Sequence, residues 1–266
     1  MVSPPDWIDL DGVANMRDVG GLPTTDGSRI AKHRLLRSDN LQELSERDVE
    51  RLVDTVGVSD IVDLRSDVEL RIEGPGPLQV RELVTHHHHS LFRDDLYAVS
   101  AEDALVLPWS KKAEGRVPPK VERDDDHWAS HYLGYLADRP DSVLAALEVI
   151  AHSTGATIVH CAAGKDRTGT VTGLALSVAG VADEDVVADY VATGERIERV
   201  VARLMARPAY EEALRDQPME HHVPQPQTMA RILTVLREQH GGAAGWLQDQ
   251  GWSEGQVEDL RGHLRE

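Results

Sequence analysis

One cysteine, one phenylalanine and an aromatic content of only 4% are the scarcities of this 266-residue chain. A single cysteine, Cys161, rules out an intramolecular disulfide, a CxxC redox centre and a zinc site built from several thiolates, so burial or reactivity must account for it. Basic residues are also few: 28 Lys and Arg against 46 Asp and Glu leave a formal charge of -18. That charge repels nucleic acid and anionic membrane over most of the surface, so any anion site must make its own positive potential locally. The first thirty residues have neither a basic start nor an apolar stretch, and no segment approaches the roughly 18 apolar residues of a membrane span. The expectation is a soluble, cytoplasmic protein made without a cleaved leader and with no integral membrane association.

Hydrophobic residues at 41% are enough for a substantial core, and start and stop signals outline strands alternating with helices in one domain, 1–266. Ser45-Glu46-Arg47-Asp48 has the form of a capping box opening a helix through Val53, ended by Gly57. Val58 to Leu64 reads as a strand with Asp63 and Arg65 at its C-terminal end. A helix from about Ser142 to His152 leads through Ser153-Thr154-Gly155 into Thr157–Cys161, short, apolar and β-branched as a buried parallel strand should be. A small apolar helix follows over Thr168–Leu176. Helical spacing then runs from Asp183 to Met205, from about Gln227 to Gln239 and from Ser253 to Leu264. This order predicts an α/β fold, a parallel sheet covered by helices. Residues 106–130 break the pattern with Pro108, Gly115, Pro118 and Pro119, and are expected to form a long surface loop, a lid insertion within about 90–130.

The chemistry concentrates between His160 and Gly169. A thiol at the base of a loop that opens onto a helix N-terminus lies where loop amides and helix-end amides converge on an anion, and Gly164 lets the backbone turn tightly. The same positive field should supply thiolate at Cys161. Ala162, Ala163, Gly164, Lys165, Asp166 and Arg167 are the candidate phosphate-binding residues. Arg167 can grip two phosphoryl oxygens at once, which a lysine cannot. Two in-line displacements through a phosphocysteine intermediate would follow, Thr168 donating to the sulfur as it leaves; no cofactor or metal is required. The cysteine-to-arginine spacing alone is weak, a coincidence of roughly one in ten in so arginine-rich a chain. The strand before it and the helix after it strengthen it. The plain alternative is a buried cysteine acting as a small hydrophobe.

His160-Cys161-Ala162-Ala163-Gly164-Lys165-Asp166-Arg167-Thr168-Gly169 resembles the signature of the cysteine-based tyrosine phosphatase superfamily, in its atypical bacterial branch. Asn15-Met16-Arg17-Asp18-Val19-Gly20-Gly21, Arg37-Ser38-Asp39, Val62-Asp63-Leu64-Arg65-Ser66, Asp189-Tyr190 and Gly251-Trp252-Ser253 resemble stretches of that branch in the same order. The resemblance implies the protein-tyrosine-phosphatase fold, here expected as a four- or five-stranded, mostly parallel sheet. It also implies a Cys161 thiolate nucleophile and phosphorylated protein or phosphoinositide substrates, Lys165 being similar to a loop lysine that favours highly phosphorylated head groups. No tyrosine-recognition loop of the eukaryotic receptor-like enzymes is seen.

The general acid is open at this level. Asp166, inside the loop, is the first candidate and Asp63, at a strand end on the same sheet edge, the second; the bland alternatives are contacts to loop amides or Arg17 for Asp166, and a salt bridge to Arg65 or Arg167 for Asp63. Asp94 and Asp124 to Asp126 in the lid rest on no motif and read as a solvated face. Lys111, Lys112, Lys120 or Arg116 there could meet an anionic substrate. His160 is positioned to orient the loop, with proton acceptance from Cys161 as the alternative. The run His86-His87-His88-His89 invites a metal reading, but no Asp or Glu flanks it at ligand spacing, and alternation in and out of a sheet is expected instead. His127 and His131 share a helix face without an HExxH glutamate and should pack or face solvent. Two other functions remain as rivals: arsenate reduction or sulfur transfer, the former lacking a resolving cysteine, and a catalytically silent phosphate-binding module.

Overall fold

Successive side chains of the central strands point to opposite faces of the sheet and are buried on both, so each face carries its own apolar cluster. Leu35, Val62 and Val159 contribute to one apolar cluster, while their neighbours Leu36, Ile61 and Ile158 contribute to the other. The computed structural model describes residues 4–93 and 126–266. Among the described residues one sheet holds six strands, β1 (Asp6–Trp7), β2 (Arg17–Asp18), β3 (Leu35–Ser38), β4 (Val58–Asp63), β5 (Thr85–His88) and β6 (Ala156–His160), in the order β1-β2-β3-β6-β4-β5. The pairs β3–β6, β6–β4 and β4–β5 are parallel, and β1 and β2 are antiparallel additions at one edge. The sheet therefore has more strands than expected. The extra ones are two residues long, too short to carry any periodicity.

Ser45 caps α1 (Glu46–Glu50) in a reciprocal box with Asp48, and the chain continues through a π-helical turn, Arg51–Val56, to Gly57 in the left-handed conformation. A second box, Ser66 with Glu69, opens α2 (Asp67–Glu73). The larger face of the sheet carries α3 (His127–Asp138), α4 (Pro140–His152) and α5 (Asp166–Val178). The expected helix over 183–205 is two, α6 (Asp183–Ala192) and α7 (Ile197–Met205), separated by a 3-10 turn over Thr193–Arg196. Then come α8 (Glu211–Leu214), α9 (Pro226–His240), α10 (Ala243–Asp249) and α11 (Glu254–Leu264), the last capped by Ser253.

No helix among the described residues is long and apolar enough to cross a membrane. Most of the expected lid, with Lys111, Lys112, Arg116, Lys120, Asp94, Asp124 and Asp125, lies outside the described residues. Asp126 is described, and it serves as the N-cap of α3, accepting from the Ala129 amide and the Thr228 hydroxyl. Ser38, Asp63, His88 and His160 close the four parallel strands at one edge, the edge where α/β sheets place their ligands.

Candidate active site

The loop from β6 to α5 starts from a strand buried along its whole length, and Cys161 behind it is 1% exposed. Gly164 has φ of 66°, and a Cβ there would stand 2.4 Å from the Ser38 carbonyl oxygen, so only glycine fits. The loop's carbonyls are all engaged from outside. The Asn40 amide donates to Ala162 O at 2.9 Å, Asn15 Nδ2 to Ala163 O at 3.0 Å and Gly164 O at 3.2 Å, and Arg37 Nη2 to Gly164 O at 2.9 Å. In a trans peptide the following N–H points opposite to the carbonyl, so the amides of Ala163, Gly164 and Lys165 turn inward together. Ala162 and Ala163 pack against Val200, Leu204 and Tyr210.

The groups that hold those carbonyls are themselves held. Asn15 Oδ1 accepts from Arg17 Nη1 at 2.7 Å; Arg17 donates through Nε to Asp189 Oδ1 at 2.8 Å, and Arg37 Nη1 donates to Asp189 Oδ2. Burial and the adjacent Arg37 lower the Arg17 guanidinium to about 10. Burial opposes ionisation of Asp189, yet the two guanidiniums hold its carboxyl below the usual range. The distant stretches Asn15–Asp18, Arg37–Asp39 and Asp189-Tyr190 thus meet as one layer behind the loop. Asp39 belongs to it, accepting from the amides of Ala14 and Asn15 and from Arg203.

Arg167 is clamped by a residue that no motif singles out. Glu69 accepts from Arg167 Nη1 at 2.6 Å and Nη2 at 3.1 Å, from the Ser66 amide at 2.7 Å and from the Tyr210 hydroxyl at 3.0 Å, and is fully buried. Leu64 O accepts from Arg167 as well, and the Phe92 ring covers the guanidinium with its centroid at 5.1 Å. Burial disfavours the cation, but Glu69 and then the Cys161 sulfur overcome it and hold the Arg167 proton more firmly than usual. The Ser66-x-x-Glu69 spacing signals a capping box; it does not signal that the same carboxylate reaches Arg167.

Asp166 is the first residue of α5, and among the described residues no hydrogen bond joins its carboxylate to the loop amides or to Arg17. Its Oδ1 accepts from the Tyr132 hydroxyl, which sits 2.9 Å from the Tyr190 hydroxyl. Tyr132 has one proton and gives it to Asp166, so Tyr190 donates to Tyr132 and a three-member chain fixes the carboxylate. Burial first, then the Asp166 charge, pushes the Tyr132 phenol far up, so it remains a donor. Lys165 Nζ lies 3.5 Å from Asp166 Oδ1, donates to His222 O at 2.9 Å and stands 5.0 Å from the Trp128 ring centroid. Thr168 is fully buried, and its Oγ1 has no hydrogen-bond partner among the described residues.

Asp63 is paired with Arg65, Oδ1 accepting from Arg65 Nε at 2.9 Å and from its amide at 3.1 Å. Burial opposes ionisation, but His160 and Arg65 outweigh it and hold the carboxyl well below its ordinary value. His160 donates through Nδ1 to Cys161 O at 3.2 Å. Of the histidine run, His86, His87 and His88 lie in β5, all half-buried, and contact Asp63, Asp60 and the Arg65 carbonyl; the separate pair His127 and His131 on α3 is exposed, with rings 4.7 Å apart.

Comparison with known proteins adds an independent line. A sequence family described as the tyrosine phosphatase family matches residues 8–266. A protein of Cupriavidus necator named as a tyrosine-protein phosphatase is 30% identical over 201 residues, covering 75% of this chain and 67% of its own. The triple specificity protein phosphatase PtpB of Mycobacterium tuberculosis is 25% identical over 279 residues, covering 96% of this chain and 98% of its own. A tyrosine-protein phosphatase of Nostoc commune is 32% identical over 145 residues, about half of each chain (52% and 49%).

Proposed function

This chain belongs to the tyrosine phosphatase family and is a phosphatase acting on phosphorylated substrates; from that premise we propose that it works through a Cys161 thiolate and a phosphocysteine intermediate. The observation that carries the reading is the set of outward-bound carbonyls around Ala162–Gly164, which leaves successive amides facing one anion beside Arg167. In the first step Cys161 Sγ forms a bond to phosphorus, the ester P–O bond breaks, and the leaving oxygen takes a proton from Asp166. In the second, water gives its proton to the Asp166 carboxylate as its oxygen bonds to phosphorus, and the S–P bond breaks to return thiolate and orthophosphate.

Asp166 suits the acid role because Tyr132 occupies Oδ1 and fixes its direction, leaving Oδ2 to carry the proton. Asp63 suits it poorly: it is ionised, fully buried and bound to Arg65, and fits a positioning role behind His160. Thr168 Oγ1, buried and without another partner among the described residues, is available to the leaving sulfur. Substrate range is read as broad. Lys165 is the one loop cation beyond Arg167, and its ammonium is parked on His222 O and Trp128, from which it could turn to a second phosphate. A relative named for triple specificity supports a broad range; the expected substrates are phosphotyrosine, phosphoserine or phosphothreonine, and phosphoinositides.

The test is hydrolysis of an aryl phosphate in the presence of a metal chelator, followed by a panel of phosphotyrosine, phosphoserine, and mono- and polyphosphoinositides. Absence of turnover on the aryl ester would sink the reading. For the acid, Asp166→Asn is expected to slow alkyl phosphates by about 10²-fold or more while costing aryl phosphates much less, since a phenolate leaves without protonation. The variant should also lose the basic limb of the pH–kcat profile, because that limb reports deprotonation of the acid. An equal loss on both ester types would assign Asp166 a structural role.

A further inference from the structure

The histidine run supplies one side of a site whose other side comes from two neighbouring strands. Asp63 Oδ2 lies 3.3 Å from His86 Nε2 and 3.4 Å from His160 Nε2, and the three atoms all fall within 4.8 Å of one another. The surrounding hydrogen bonds dictate what those atoms carry. Gln79 Oε1 accepts from the Gly76 amide at 3.0 Å, which orients its NH2 toward His86 Nε2 at 2.8 Å. His86 Nε2 is therefore an acceptor and presents no proton to Asp63. His160 Nδ1 faces the Cys161 carbonyl, which can only accept, so in the neutral ring the proton is on Nδ1 and Nε2 also presents a lone pair. Asp63, paired through both oxygens with Arg65, presents a third from Oδ2.

Three lone pairs that converge without a donor among them repel one another unless a cation stands between. A proton on His160 would serve one contact; a metal ion serves all three. The spacings of 3.3 and 3.4 Å match the edge of a zinc tetrahedron, about 3.4 Å for bonds of about 2.0–2.1 Å. We propose that Asp63, His86 and His160 form a binding site for a divalent cation of the Zn2+ class, one residue behind the nucleophile, with a fourth position open on the His86 side. His86 is the entrance, its side chain 19% exposed while Asp63 and His160 are buried. Gln79 on His86, the Cys161 carbonyl on His160 and Arg65 on Asp63 are the partners that set the direction of each ligand. Arg65 engages both oxygens, Nη2 donating to Oδ2 at 2.5 Å and Nε to Oδ1 at 2.9 Å, so an incoming cation shares Oδ2 with the guanidinium and the site is weaker than a structural zinc centre. The ligand atoms themselves meet the anion cradle only through the His160 ring, whose Nδ1 holds the Cys161 carbonyl.

The experiment titrates Zn2+ into the Cys161→Ser protein, which removes the thiolate as a competing ligand, and repeats the titration with Co2+ to read its visible d–d absorption. One equivalent should bind, with the absorption of four-coordinate Co2+. Adding His86→Ala should weaken binding by about 10–100-fold, while His87→Ala, on the opposite face of β5, should leave it unchanged; far-UV circular dichroism verifies that each protein is folded. No stoichiometric binding, equal binding by His86→Ala, or loss of binding in His87→Ala would each overturn the assignment.

Discussion

Replacing Cys161 with serine is expected to abolish aryl phosphate turnover, by at least about 10³-fold in kcat, while inorganic phosphate still binds. The hydroxyl is not ionised at neutral pH and is a far weaker nucleophile than a thiolate, so bond formation to phosphorus is lost. Binding survives because nothing in the cradle depends on the sulfur: the carbonyls of Ala162, Ala163 and Gly164 are fixed by Asn40, Asn15 and Arg37, and Arg167 is fixed by Glu69. Steady-state kinetics and calorimetric titration with phosphate measure the two halves. Full activity in the serine variant would refute a cysteine mechanism. A loss of binding equal to the loss of turnover would mean that the sulfur shapes the cradle, contrary to the contacts described.

The second large effect is on stability. Asp189→Asn removes the one carboxylate shared by Arg17 and Arg37, two arginines each 1% exposed. An asparagine oxygen can accept from one guanidinium, but its NH2 must then face the other, and a buried charge is left short of a partner. Breaking a buried ion pair from one side costs about 3–5 kcal/mol, and urea denaturation should find a loss of that order. The folded-state pKa of Asp189 is depressed, so its contribution is fully present above the unfolded value of about 3.9 and fades as the pH falls through the folded value. The gap between wild type and variant should therefore be widest near neutral pH and narrow in acid. A loss below about 1 kcal/mol at pH 7 would show that the two arginines find other partners. Phosphate affinity should fall as well, since Arg37 fixes Gly164 O and Arg17 fixes Asn15.

How much of this could be read from the residues depends on the distance over which each element is encoded. The strand Ala156–His160, the turn at Gly164 and the helix that follows are local, written in β-branched residues, a glycine and a run of small apolar residues, and they were legible to within two residues of their ends. So was the capping box at Ser45. Strands β1 and β2 were not, because two residues have no period and take their conformation from the neighbour they pair with. Glu69 and Tyr132 were missed for a related reason: each lies on an ordinary amphipathic helix, and only tertiary packing brings them to Arg167 and Asp166. The metal reading of the histidine run was discounted for want of an acidic neighbour in sequence. The neighbour, Asp63, is 23 residues away from His86 and one strand across.

The cradle behind the loop also bears on the order in which the molecule is assembled. Asn15 reaches the loop carbonyls across 148 and 149 residues and Arg37 across 127, while Arg17 closes the layer onto Asp189 across 172. Contacts at such sequence separation form late, after the entropy of closing the intervening chain has been overcome, and topologies dominated by them fold slowly. A peptide carrying residues 156–178 would hold the signature and the helix yet leave its carbonyls without their partners. In a refolding time course, recovery of phosphate affinity should lag the recovery of helical signal, making ligand capture a reporter for the final docking of the N-terminal segment onto the finished core.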